Sequence, residues 1–130
     1  MPPHQRISSG TIWEKKYGYS RAVVAGNQVF VAGTTAVDEH GTVMGPNDPY
    51  AQAAFIYRKI ERALGEAGAS LKDVVRVRTF VTGIARWEDV ARAQGEVFGE
   101  IRPAATLVAV TALVQPDLLV EIEVDAVIGA

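Results

Sequence analysis

The sequence predicts an α+β domain, a single mixed β-sheet with two helices on one face. Three observations carry that reading. Two short runs rich in valine flank Gly26-Asn27, residue types suited to a tight hairpin turn. A stretch with helical periodicity lies between Asp48-Pro49 and Gly68, a start signal and a stop signal. Near the end of the chain, Val120, Ile122, Val124 and Ala126 alternate strictly with Glu121, Glu123 and Asp125. Side chains alternate across a strand, so one face of that strand is apolar and the other is a row of three carboxylates.

In chain order, the polar first five residues, with Pro2-Pro3, are expected to be mobile. Residues 1–18 offer only a short edge strand around Arg6-Ile7-Ser8. The hairpin pairs residues 20–24 with 28–32, and Gly33 is expected to close its second strand. Gly41 suits a second, smaller hairpin that includes Thr42-Val43-Met44. In the first helix Asp48 is the N-cap. Ala53, Ile56, Ile60, Leu64 and Ala67 form its buried stripe, while Arg58, Lys59, Glu61, Arg62 and Glu66 fill the outer face. Ser70-Leu71-Lys72-Asp73 reads as a capping box over a single turn. The strand 74–81 is expected to put Val75, Val77, Thr79 and Val81 on one face and Arg76, Arg78 and Phe80 on the other.

The second helix spans roughly 85–100, with a stripe of Trp87, Val90, Ala91, Gln94, Val97, Phe98 and Ile101. Trp87 and Phe98 are read as core. Gln94, the one polar member, marks either a rim position or the edge of a pocket. The tail reads as two strands joined by a turn, the first (105–110) covered on both faces. These elements leave one sheet face without a cover, so self-association through that face is the natural inference.

At 130 residues the chain suits a single domain, residues 1–130. A net charge of −2 with mixed signs argues against a broad nucleic-acid surface. With no cysteine there is no thiol nucleophile, disulfide or thiolate metal site. His4 and His40 lie far apart in loop sequence, a poor basis for a metal site or a triad. No apolar run reaches membrane-span length and the N-terminus does not read as a signal peptide, so the expected location is the cytoplasm, away from membranes.

Several stretches coincide with one family. They are residues 18–23 (Gly-Tyr-Ser-Arg-Ala-Val), Gly26-Asn27, residues 29–33, Ala63-Leu64, Ala67-Gly68 with Asp73-Val74-Val75, Phe80-Val81, Arg102-Pro103-Ala104, and residues 120–126. In this order and spacing the chain resembles the Rid (YjgF, reactive-intermediate deaminase) family from about Tyr19 to Ala126. The resemblance implies a chorismate-mutase-like fold and a homotrimer around a central β-barrel, with a small-molecule cleft between each pair of neighbours. Enzymes of the family hydrolyse imines or enamines such as 2-iminobutanoate to ketoacids and ammonia, with no cofactor and no metal. An arginine fork holds the substrate carboxylate and a glutamate on the last strand positions water.

Residue by residue, the resemblance makes Tyr19 the cleft tyrosine, Gly33 the cleft glycine and Glu121 the water-positioning glutamate. It also exposes departures. Ala105 stands where deaminases carry the arginine, Ala91 where some carry asparagine, and Ala32 where some carry serine. Losing the arginine fork would cost about 1.5–3 kcal/mol of carboxylate binding. Arg21, two residues from Tyr19 and on its face, is a candidate replacement. Arg102 points the other way and reads as a junction salt bridge. Backbone N–H groups near Gly33 and Thr106 are candidate anion or carbonyl contacts. Glu123 and Asp125 are expected to pair with Arg76 and Arg78 across strands. The resulting expectation is an imine or enamine hydrolase with a non-standard substrate. The alternative is a trimer that binds a metabolite without turnover. An endoribonuclease reading lacks a histidine pair or basic groove.

Overall fold

The computed structural model describes residues 4–129. A short strand β1 (Gln5–Ile7) and a helix α1 (Ile12–Tyr17) precede the hairpin β2 (Ala22–Ala25) and β3 (Gln28–Thr35). Then come α2 (Pro49–Glu66), β4 (Val74–Val81), α3 (Trp87–Phe98), β5 (Ala104–Ala109) and β6 (Val120–Val127). The six strands form one sheet in the order β1-β2-β3-β6-β4-β5, antiparallel except for the parallel β4–β5 pair. α3 supplies the crossover that a parallel pair requires.

The local signals explain most of this. Asp48 accepts a hydrogen bond from the Ala51 amide at the start of α2, Pro49 sits in its first turn, and Gly68 adopts φ 83° just past its end. The hairpin closes through Gly26 at φ 63°, with Ala25 opposite Gln28. The single turn Leu71–Asp73 carries the predicted capping box, and a bridge between Val37 and Val43 closes the small hairpin. Ile56, Ile60 and Leu64 of α2 pack against Val120, Ile122 and Val124 of β6, which lies at the centre of the sheet. Each of these side chains contributes about 1.5–3 kcal/mol by leaving water.

Several expectations are corrected. Gln5, placed among the mobile first residues, is paired with Val24, while the rest of that segment up to Pro3 lies outside the described residues. Residues 12–17 form a helix rather than loop. β3 does not close at Gly33 but runs to Thr35, because Ala32 and Gly33 together oppose one residue of β6 in a bulge. A second irregularity between Val74 and Arg76 turns Val75 outward and Val74 inward. The two tail strands are not neighbours, since β4 lies between them. β5 is an edge strand exposed on both faces, not one covered on both. Trp87 is 46% exposed, at the foot of α3 and outside the core. Phe98, also read as core, is buried edge-on against Tyr57. Arg102 forms no ion pair among the described residues and sits at φ 57°, in the turn that ends the helix.

Candidate functional site

The helices cover the sheet face that carries Val77, Thr79, Val81, Val120, Ile122 and Val124. Glu121, Glu123 and Asp125 point to the other face, which no element of the described chain covers. The three carboxylates do not share one environment. Arg78 lies within 3.4 Å of both Glu123 and Asp125. Arg76, although opposite Asp125 in register, forms no ion pair among the described residues, so the expected two-by-two pairing is a single arginine serving two acids.

Glu121 sits apart, at the end of the sheet where β3 bulges. It is opposite Thr35 on β3 and Phe80 on β4. Its carboxylate lies directly on Gly33: a Cβ at that position would meet Glu121 Oε2 well inside contact distance and Cδ at 3.0 Å. Gly33 is therefore required by close approach, not by a special backbone angle. Burial raises the Glu121 carboxyl above its ordinary 4.5; the nearby Arg21 charge opposes that rise and Glu123 adds to it.

Arg21 leads into β2 and donates through Nη2 to the Gly33 carbonyl at 2.6 Å. Its Nε is buried with no partner among the described residues. Burial lowers its pKa, against the pull of Tyr19, Glu14 and Glu121. The guanidinium is thus near Glu121 without an ion pair to it within 4.0 Å, and it also holds the backbone on which Glu121 rests.

The structure brings together Arg21, Gly33 and Glu121, with Tyr19 beside Arg21 and 44% exposed. It does not bring the others to them within one chain. Ala105 and Thr106 lie on the edge strand β5, opposite Val77 and Arg78, so adjacent residues face opposite sides of the sheet. β4 separates Thr106 from β6 by about 10 Å, two strand spacings. Gln94 is half-buried on α3, in the helix layer. Two cavities, of about 110 Å³ beside Thr82 and Arg86 and about 240 Å³ between α2 and α3, include none of Arg21, Gly33 and Glu121 in their linings. Glu121 opens instead onto the uncovered face, so a closed cleft there needs a wall from elsewhere.

Two residues of this cluster were missed in the sequence. Glu14 is buried and accepts from the Ser9 amide at 3.1 Å, from the Ser9 hydroxyl and from Thr11. Burial pushes its pKa up, but the hydrogen bonds from Ser9 and Ser8 and the Arg21 charge outweigh that and leave it lowered. Thr11-Ile12-Trp13-Glu14 has capping-box spacing, a signal that marks both the missed helix and its acid. Lys59, read as a solvated helix charge, turns back to the sheet and donates to Thr35 O at 2.7 Å and Val37 O at 2.8 Å. Helical spacing offers no sign of that. Among the described residues no group of histidines or acids could hold a metal ion, and no helix is long and apolar enough to cross a membrane.

The family described as Endoribonuclease L-PSP matches residues 13–128, nearly the whole chain. A Mycobacterium tuberculosis structure, a member of the YjgF/YER057c/UK114 family, is 48% identical with a TM-score of 0.88, covering 97% of this chain and 100% of that one. The chain belongs to the Rid (YjgF) family. Its α+β sheet-and-helix fold is that of its Rid relatives. An uncharacterized Streptomyces coelicolor protein is 36% identical over 97% of this chain and 93% of its own length. The 3-aminoacrylate deaminase RutC of Acinetobacter baylyi is 38% identical over 80% of this chain and 82% of its own.

Proposed function

We propose that this Rid protein is a cytoplasmic, cofactor-independent hydrolase of an imine or enamine metabolite, working as a homotrimer. The observation that carries this is the position of Glu121: half-buried, seated on Gly33, with its pKa raised by burial and Arg21 alongside. A carboxyl group shifted toward neutrality is suited to accept a proton from water and return it. In the reaction the water oxygen attacks the carbon of the protonated imine while Glu121 takes one water proton. Glu121 then passes that proton to the amino nitrogen of the tetrahedral intermediate, the C–N bond breaks as the remaining hydroxyl proton goes to Glu121, and ammonia and a carbonyl compound leave. Solvent then takes that proton from Glu121. An enamine first takes a proton on carbon to become the iminium. The similarity to a protein named for deaminating 3-aminoacrylate, an enamine, supports the reaction class.

In this reading, the uncovered sheet face, with Phe30 and Val108 each 42% exposed, packs against neighbouring copies. A neighbour then supplies the second wall of the cleft, bringing Ala105, Thr106 and Gln94 to Glu121 and Tyr19. Ala105 offers no side-chain donor, so the substrate is not the small 2-imino acid that an arginine fork would hold. That same absence favours the second reading, a trimer that binds a metabolite without turnover. An RNA-cleaving role finds no support in the site, which contains no histidine; His40 is exposed beside Glu39.

The test is incubation of the protein with imines generated in situ from a panel of amino acids, alongside Glu121→Ala and Ala105→Arg. Turnover by the wild type that Glu121→Ala abolishes is expected. No turnover on any imine overturns the hydrolase and leaves the binding protein. A monomer by light scattering removes the shared cleft.

A further inference from the structure

β2 pairs with β3 only as far as Val31, with one further bond from the Ala32 amide to Arg21 O. Beyond that point no strand of the described chain lies along the outer edge of β3, and the carbonyls of Gly33, Thr35 and Val37 need other partners. Cations supply them. Arg21 takes the Gly33 carbonyl at 2.6 Å, and Lys59, reaching down from α2, takes those of Thr35 and Val37 at 2.7 and 2.8 Å. Thr35 is the residue opposite Glu121, and Gly33 is the surface on which the Glu121 carboxylate rests.

We propose that Lys59 is a positioning residue for Glu121: by tying down the free edge of β3 it keeps Gly33 and Thr35 in place beneath the carboxylate. The proposal rests on the reading of Glu121 as the working acid, and Lys59 itself touches no reacting atom. The charged groups that act on Lys59 are Arg21, leading into β2, and Asp38, just beyond β3. Burial, then Arg21, lowers the Lys59 pKa to about 8, against the opposing pull of Asp38. Above that pH the ammonium loses a proton, and the hold on the two carbonyls weakens. The seat of Glu121 is therefore expected to loosen on the alkaline side.

Carbon-detected NMR of the Thr35 and Val37 carbonyls across the alkaline range tests this in the wild type, Lys59→Arg and Lys59→Met. In the wild type both carbonyl carbons should titrate together near pH 8. In Lys59→Arg, which keeps its charge, that step should vanish. In Lys59→Met more of the Glu121 carboxylate should reach water and its titration should move down toward 4.5. Lys59→Arg should restore the wild-type value. With an active substrate, Lys59→Met should lower kcat about tenfold with little change in KM, and the alkaline limb of the wild-type profile should be absent from Lys59→Arg. Wild-type carbonyls that do not titrate near pH 8, or a folded Lys59→Met with an unmoved Glu121, would overturn the proposal. Failure of every substrate would overturn the hydrolase reading alone, since the NMR measurements need no turnover.

Discussion

The start and the middle of β6 carry the same chemistry to opposite uses. In its middle, Glu123 and Asp125 share Arg78 on an open, partly exposed face, an arrangement that ties strand to strand. Two positions earlier, Glu121 is set on a bare glycine backbone, half-desolvated, with an arginine near but not paired to it. Gly33 makes the difference, because it leaves no side chain beneath the Glu121 carboxylate, whereas Glu123, opposite the Ala32-Gly33 bulge, reaches Arg78 instead. Partly exposed ion-paired acids add modestly to stability. An acid that is kept unpaired and half-buried costs stability and is available for proton transfer.

The largest expected contrast is in turnover. Once a substrate is found, Glu121→Gln should reduce kcat by about 10²–10⁴-fold, the usual scale of a lost general base. Glu123→Gln should change it by no more than a few-fold; an equal loss in both variants would merge the two parts of β6 into one acidic site. Gly33→Ala comes next. Its methyl group occupies the place of Glu121 Oε2 and should push the carboxylate into water, lowering kcat about tenfold with the fold retained.

The contrast in stability has a definite sign. The folded pKa of Glu121 is raised above its unfolded value of 4.5, so the folded chain holds this proton more tightly. The associated stability is present below pH 4.5 and is lost as pH rises through the folded value. Glu121→Gln, which mimics the protonated acid, should therefore raise the thermal midpoint at pH 7, and the gain should disappear in acid. No gain at pH 7 would argue against a desolvated carboxylate. Arg78→Ala should act the other way and weakly, costing about 0.2–1 kcal/mol in the isolated chain, because its ion pairs are partly exposed and 3.4 Å long. Arg76→Ala should cost less still by chemical denaturation.

Much of this was legible in the sequence wherever regular periodicity decides the outcome. Gly26-Asn27, the Asp48-Pro49 to Gly68 punctuation and the alternation along β6 each act locally, and each led to the observed element. What escaped depends on breaks in that periodicity or on distant contacts. The bulge at Ala32-Gly33 and the irregularity at Val75 invert side-chain parity without a compositional mark. α1 presents Ile12, Trp13 and Tyr17 outward and its glutamate inward, the reverse of an ordinary amphipathic helix. Lys59 has the spacing of an outer helix charge, and only the short reach of β2 leaves carbonyls for it to bind. The order of β5 and β6 follows from the α3 crossover, which consecutive strands in a tail do not reveal.

The central requirement is that Glu121 is held half-buried against Gly33, and the titration of its side-chain carboxyl carbon measures that directly. In the wild type the midpoint should lie above 4.5, and in Gly33→Ala it should fall toward that value. A wild-type Glu121 that titrates at or below 4.5 would contradict it.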